Sequence, residues 1–176
     1  MGEYIENMKD ALPDPARVKA IKKDLESKGV KYIYSHWIDF LGSPKTKPMP
    51  ISDFEDLCAG KGPQFAVHSV SFVPELTAAD NDQIPVPDLD SLLICPWDKT
   101  CAWVFSDLWW NGKPYDVCPR QTLKKQIKKN ADADLKFYVG MEPEFFVMKW
   151  EDGKPVKAID RDPIPLRRQA FGYDSE

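Results

Sequence analysis

Apolar positions recur at helical spacing after Asp14, where Val18, Ile21 and Leu25 fall on one face. The pattern predicts a helix with Asp14 as its cap, Pro15 in its first turn and Gly29 just past its end. Residues 1–13 show no such period and read as a frayed leader. From Val30 to Leu41 β-branched and aromatic residues occupy both alternating faces, predicting a strand covered on both sides that ends at the Gly42-Ser43-Pro44 turn. Lys45–Ile51 would return as a second strand. Ser52 with Glu55 three residues on is a capping-box signature for a short helix ending near Gly60.

Beyond Gly62-Pro63 the periodicity lapses, and the acids and prolines of Thr77–Asp90 predict a long surface loop. Ser91–Pro96 and Thr100–Leu108 read as strands joined by Trp97-Asp98-Lys99, and the Asn111-Gly112 turn leads to a third at Tyr115–Cys118. Pro119 starts a helix through Ala131 with Leu123 and Ile127 on its inner face. Leu135–Val139 and Glu142–Trp150 resume extended structure, and Asp152-Gly153 closes a hairpin with Pro155–Ile159. The sum is a mixed α+β sheet with helices on one face. Asp160–Glu176 has neither period and looks like a chain cut off mid-architecture.

Composition narrows the class. The chain has 176 residues, 43% hydrophobic and 30% charged, a mixture able to bury a core and unlike a disordered one. Lys and Arg number 24 against 28 Asp and Glu, a net charge of -4 with no long basic run. That argues against a nucleic-acid or anionic-membrane surface and for a small molecule or a protein as partner. Cys58, Cys95, Cys101 and Cys118 form no CxxC pair, and His36 and His68 stand in separate segments, so zinc-ligand spacing is absent. Free, mostly buried thiols of a reducing compartment are the simpler reading. Met1–Asp10 lacks an apolar signal region, and no segment reaches the ~18 apolar residues of a membrane span. The expected location is the cytoplasm.

The sharpest chemical feature is Gly140-Met141-Glu142-Pro143-Glu144-Phe145-Phe146. On a strand, Glu142 and Glu144 project from one face, where like charges repel unless a cation sits beside them. Such a pair suits Mg²⁺ or Mn²⁺, which in turn hold nucleotide phosphates. A solvated strand face with two surface glutamates is the alternative. His68 reads as a surface or packing histidine more readily than as a catalyst. Trp109 and Trp110 could form a stacking platform, but alternation along a strand turns one of them inward and favours packing. Arg120 fits a substrate anion or helix-start packing equally well.

Gly-x-Glu-x-Glu-Phe-Phe resembles the first metal-binding strand of the glutamine synthetase family. Pro119-Arg120 ahead of its helix, the Asp82–Asp88 segment ending Pro87-Asp88, and Val30–Gly42 with Asp39 before Phe40-Leu41-Gly42 resemble other stretches of that family in the same order. The similarity runs from about residue 16 to 160. It implies a leader over 1–15, an N-terminal β-grasp domain over 16–118, and the start of a catalytic domain over 119–176. It also implies that Glu142 and Glu144 bind divalent cations that clamp ATP. The implied reaction phosphorylates the side-chain carboxylate of glutamate, and ammonia or an amine then displaces phosphate. The implied assembly is a homo-oligomer whose active sites are shared between subunits.

Where the family's flap usually reads Phe-Asp-Gly-Ser-Ser, this chain has Phe65-Ala66-Val67-His68-Ser69. Ala66 replaces the acid that helps bind and deprotonate ammonium, while Ser69 remains and Asp82 matches a second flap-side acid. The departure resembles branches that join glutamate to alkylamines. The family's other metal-ligand glutamates and phosphate-binding arginines have no counterpart before Glu176. The first expectation is therefore the N-terminal part of an amide-forming ligase, inactive by itself. The alternatives are a stand-alone β-grasp module that binds partners without catalysis, and a small carbohydrate-binding domain using its tryptophans.

Overall fold

The computed structural model describes residues 2–39, 41–67 and 75–158. These fall in two compact units, Met1–Lys136 and Phe137–Glu176.

In the first unit, helix α2 (Pro15–Ser27) forms where its pattern places it. The Asp14 carboxylate accepts the Arg17 N–H at 2.8 Å, and Gly29 takes the left-handed conformation, φ +83°, that lets the chain leave the helix. Strand β1 (Tyr32–Ile38) follows and pairs antiparallel with β2 (Pro44–Pro50), Ile33 opposite Met49. A short helix α3 (Phe54–Cys58) comes next. Its expected capping box is absent: Ser52 Oγ donates to Asp53 Oδ1, because a 3₁₀ turn at Ile51–Asp53 shifts the helix start past it.

The expected Thr77–Asp90 surface loop contains strand β3 (Ile84–Pro87), buried along its whole length. It pairs antiparallel with β5 (Cys101–Trp110), Ile84 opposite Trp109 and Val86 opposite Asp107. Proline lacks the N–H a central strand needs, but β3 lies at the end of the sheet order, where Pro85 and Pro87 turn their nitrogens to the unpaired edge. The sheet order is β2-β1-β5-β3, with β1 and β5 parallel, while β4 (Leu93–Ile94) and β6 (Lys113–Pro114) pair with β5. The third strand is thus Lys113–Pro114 rather than Tyr115–Cys118. The Asn111-Gly112 turn, with φ of +50° and +74°, tightens the connection.

Ile33, Ala102 and Val104 from the sheet, Val18 and Leu25 from α2, and Phe54 and Leu57 from α3 make one core. Helices α2 and α3 cover one face, and the outer face of β1 is not covered as its sequence suggested: Tyr32 is half exposed. The leader is ordered rather than frayed. It carries α1 (Gly2–Glu6) and a 3₁₀ turn, and Met8 is buried with Ile84 and Val86, beside Leu12 and Trp109. Trp110 stacks edge-on against Tyr115, so both tryptophans serve packing.

Helix α4 (Pro119–Asp132) has the expected span and the opposite orientation. Gln121 is its buried residue, while Leu123 and Ile127 are each 59% exposed. The reason is electrostatic: Arg120 and Lys124 are drawn to carboxylates on the sheet and turn the apolar stripe outward.

The second unit contains an antiparallel hairpin of β7 (Met148–Glu151) and β8 (Lys154–Lys157), closed by Asp152-Gly153. Leu135–Val139, expected as a strand, has no strand assignment, and neither do residues 142–147. Among the described residues no helix is long and apolar enough to cross a membrane.

Candidate functional site

Phe65–Val67 is anchored at both ends. Phe65 and Gln83 exchange backbone hydrogen bonds, 3.0 Å and 2.7 Å long, and the Phe65 ring meets Trp37 edge-on at 5.5 Å. Lys47 Nζ lies 5.0 Å over the same ring and donates to the Gln64 carbonyl. Val67 is fully buried in the cluster of Trp37, Leu108 and Tyr115. Ala66, half-buried, is therefore carried between two fixed residues. His68 and Ser69 lie outside the described residues.

The Gln83 end of this bridge fixes Asp82 as well. Asn81 presents its carbonyl to Trp110 Nε1 at 2.9 Å, and its amide nitrogen donates to Asn111 Oδ1 at 2.8 Å. The exposed Asp82 thus sits between a pinned Asn81 and a fully buried Gln83. The structure brings Ala66 and Asp82 next to the bridged pair Phe65–Gln83.

A second cluster ties β3, β5 and α4 together. Arg120 donates to Asp107 Oδ1 at 2.6 Å and to Asp88 Oδ2 at 2.5 Å, and Lys124 reaches the same acids at 2.5 Å and 3.4 Å. Burial works to raise the Asp88 pKa, but the Arg120 hydrogen bond and the charges of Lys124 and Arg120 outweigh it, so the carboxyl stays below its usual value. Burial likewise opposes the Arg120 charge and is overcome by its two acids, which hold its pKa up. The two cations are matched to two anions within the molecule, so Arg120 acts in helix-start packing. Asp107 and Lys124 were missed in the sequence. Their signals were a lone acid inside the apolar run of β5 and a second cation four residues after Arg120 on one helix face.

Asp39 closes the β1–β2 turn. Its Oδ1 accepts the N–H groups of Leu41 and Ser43 at 3.0 Å and 2.8 Å, and Lys45 Nζ lies 3.4 Å from Oδ2. Burial would raise its pKa, and these partners bring it below the ordinary carboxylate value instead.

Glu142 and Glu144 are exposed and precede the hairpin, in backbone without a strand assignment. Strand alternation therefore does not set their relative direction. As hard oxygen donors they suit Mg²⁺ or Mn²⁺ in kind, but Mg²⁺ takes six oxygens, and among the described residues no group of three His, Cys, Asp or Glu converges on one point. The donor set among the described residues does not complete a metal site.

The model of the family described as glutamine synthetase, catalytic domain, matches residues 116–172. A glutamine synthetase of Rhizobium meliloti (strain 1021) is 34% identical over 142 residues, covering 81% of this chain and 32% of the relative. The chain belongs to the glutamine synthetase family. A second relative of this family, the glutamate–methylamine ligase of Methyloversatilis universalis, is 32% identical over 142 residues, covering 80% of this chain and 31% of that one. Solved structures of GmaS, one in complex with ADP and one apo, superpose at a TM-score of 0.60 with 26% identity, over 64% of this chain and 26% of theirs. The chain thus spans about a third of the length of the curated glutamine synthetase relatives it matches.

Proposed function

We propose that this chain is the N-terminal part of an ATP-dependent ligase that joins the side-chain carboxylate of glutamate to ammonia or a primary amine through a glutamyl phosphate. The observation that carries the reading is similarity along four fifths of the chain to both a glutamine synthetase and a glutamate–methylamine ligase. Residues 16–118 would form a β-grasp domain and 119–176 the start of a catalytic domain, in keeping with a family match that begins at residue 116. Leu123 and Ile127, exposed on α4, supply an apolar surface for the parts of a longer parent to cover.

Glu142 and Glu144 are the proposed cation ligands, completed by groups elsewhere in a longer parent. Mg²⁺ or Mn²⁺, when bound, would offset charge on the transferring phosphoryl group of ATP. Ser69 and Asp82 are the proposed flap residues toward an active site shared in a cytoplasmic homo-oligomer. Ala66 favours an amine over ammonia: the position offers apolar room and no carboxylate to attract ammonium, and each buried methylene is worth roughly 0.8 kcal/mol. The test is phosphate release from ATP by the full-length gene product, at fixed glutamate, across ammonia, methylamine and longer amines. Amide formation at a rate above background supports the ligase, and binding of a protein partner with no turnover supports the non-catalytic module.

A further inference from the structure

The β4–β5 hairpin carries two buried thiols, Cys95 and Cys101, that the proposed reaction does not use. The antiparallel register sets Leu93 opposite Trp103 and Ile94 opposite Ala102, and continued by one residue it sets Cys95 opposite Cys101. One backbone hydrogen bond ties the two residues just past the ladder, the Cys95 N–H donating to the Cys101 carbonyl at 2.9 Å, while the Cys101 N–H turns to the Asp98 carbonyl at 3.1 Å. Residues that face each other across antiparallel strands have Cα atoms about 4.5–5.5 Å apart, inside the range a disulfide spans. Cys101 alternates along β5 with Ala102, which packs into the core, and so shares the face of Trp103, while Cys95 is the residue that directly follows β4.

All four cysteines are free and buried, yet they divide into two kinds. Cys58 and Cys118 are members of the hydrophobic clusters, and burial together with the Glu55 charge pushes the Cys58 thiol up to about 12. Cys95 and Cys101 belong to none of the clusters formed by the described residues. Cys101 Sγ instead donates to Asp98 Oδ2 at 3.3 Å, at the end of the exposed Pro96–Lys99 loop. It is the more open of the pair, 8% exposed against 1% for Cys95.

We propose that Cys95 and Cys101 are a reversible dithiol–disulfide site, oxidised by a low-molecular-weight disulfide of the glutathione type. The Cys101 thiolate attacks the oxidant, one of whose sulfurs leaves as a thiolate, and a mixed disulfide forms on Cys101. The Cys95 thiolate then attacks that sulfur and expels the second thiol. One protein S–S bond is made and the oxidant's is broken. Two electrons and two protons pass to the oxidant, and the Cys101–Asp98 hydrogen bond is lost. The site stands independently of the ligase reading.

The test exposes the folded chain to oxidised glutathione without denaturant, followed by blocking of remaining thiols, intact mass measurement and a non-reducing digest. The expected result is loss of two hydrogens and of two blockable thiols, a linked Cys95–Cys101 peptide, and reversal by dithiothreitol. Cys58→Ser and Cys118→Ser should leave this unchanged, whereas Cys95→Ser should leave a glutathione adduct on Cys101. The unsubstituted chain decides the matter if a variant fails to fold. Absence of the linked peptide, linkage to Cys58 or Cys118 in its place, or linkage only in denaturant overturns the proposal.

Discussion

Arg120 holds three elements through one side chain, and its removal has a defined cost. Its side chain and those of Asp88 and Asp107 are 26%, 23% and 12% exposed, so the pairs are partly screened and worth less than fully buried ones. Arg120→Met is expected to destabilise the first unit by about 2 kcal/mol, read as a lowered urea midpoint at neutral pH, because a buried and a partly buried carboxylate lose their fork of donors. The folded Asp88 pKa lies below its usual 3.8, so its contribution is present above that value and is lost as pH falls through the folded pKa. The variant should therefore show a smaller loss of stability on acidification than the parent. His36 has the opposite charge type and the same direction of shift. Burial lowers its pKa from 6.5, and among the described residues its Nε2 has no hydrogen-bond partner, with Trp103 5.1 Å away ring to ring. The unfolded chain binds the proton first, so stability is expected to fall as pH drops below 6.5 toward the lower folded value. His36→Phe should flatten that limb of the urea-midpoint profile, and an unchanged limb would place the titration elsewhere.

Among the elements, α3 is built into the core and the turn after it folds closely back on α3. Phe54 and Leu57 are fully buried, and a Cβ on Gly62 would stand 2.8 Å from the Leu57 Cα. Phe54→Ala is expected to cost about 3–5 kcal/mol through lost burial and a cavity, and Gly62→Ala about 1–3 kcal/mol through forced backbone movement, both measurable by chemical denaturation. Local chemistry made α2 legible, since Asp14, Pro15 and Gly29 act through the backbone of their own segment. The Asn111-Gly112 and Asp152-Gly153 turns were legible for the same reason. Non-local partners hid β3 and the orientation of α4. Proline in Pro85 and Pro87 signals loop until the strand is known to be at an edge, and Leu123 and Ile127 signal a core face until Asp88 and Asp107 are known to face the helix. In the candidate site the Glu142 and Glu144 pair was legible as a motif, while its setting outside the β7–β8 ladder was not, because pairing depends on which partner strands are present.

For the whole molecule, the proportion of each relative that is matched matters most. With about a third of the relatives' length and an incomplete oxygen donor set among the described residues, the chain by itself is expected to release no phosphate from ATP with glutamate and an amine. Glu142→Gln in a longer parent should depress turnover severely while leaving the urea midpoint of the first unit unchanged, since Glu142 is exposed and lies in the other unit. The most direct test of the ligase account is kcat/KM of the full-length gene product for methylamine and for ammonia, by phosphate release at saturating glutamate and ATP and known free-base amine, in the parent and in Ala66→Asp. The account predicts ATP-dependent amide formation in the parent with a preference for methylamine of about fourfold per added carbon, and a reduced preference in the variant. No amide product from either amine would contradict the ligase, and a preference for ammonia unchanged by the aspartate would contradict the role given to Ala66.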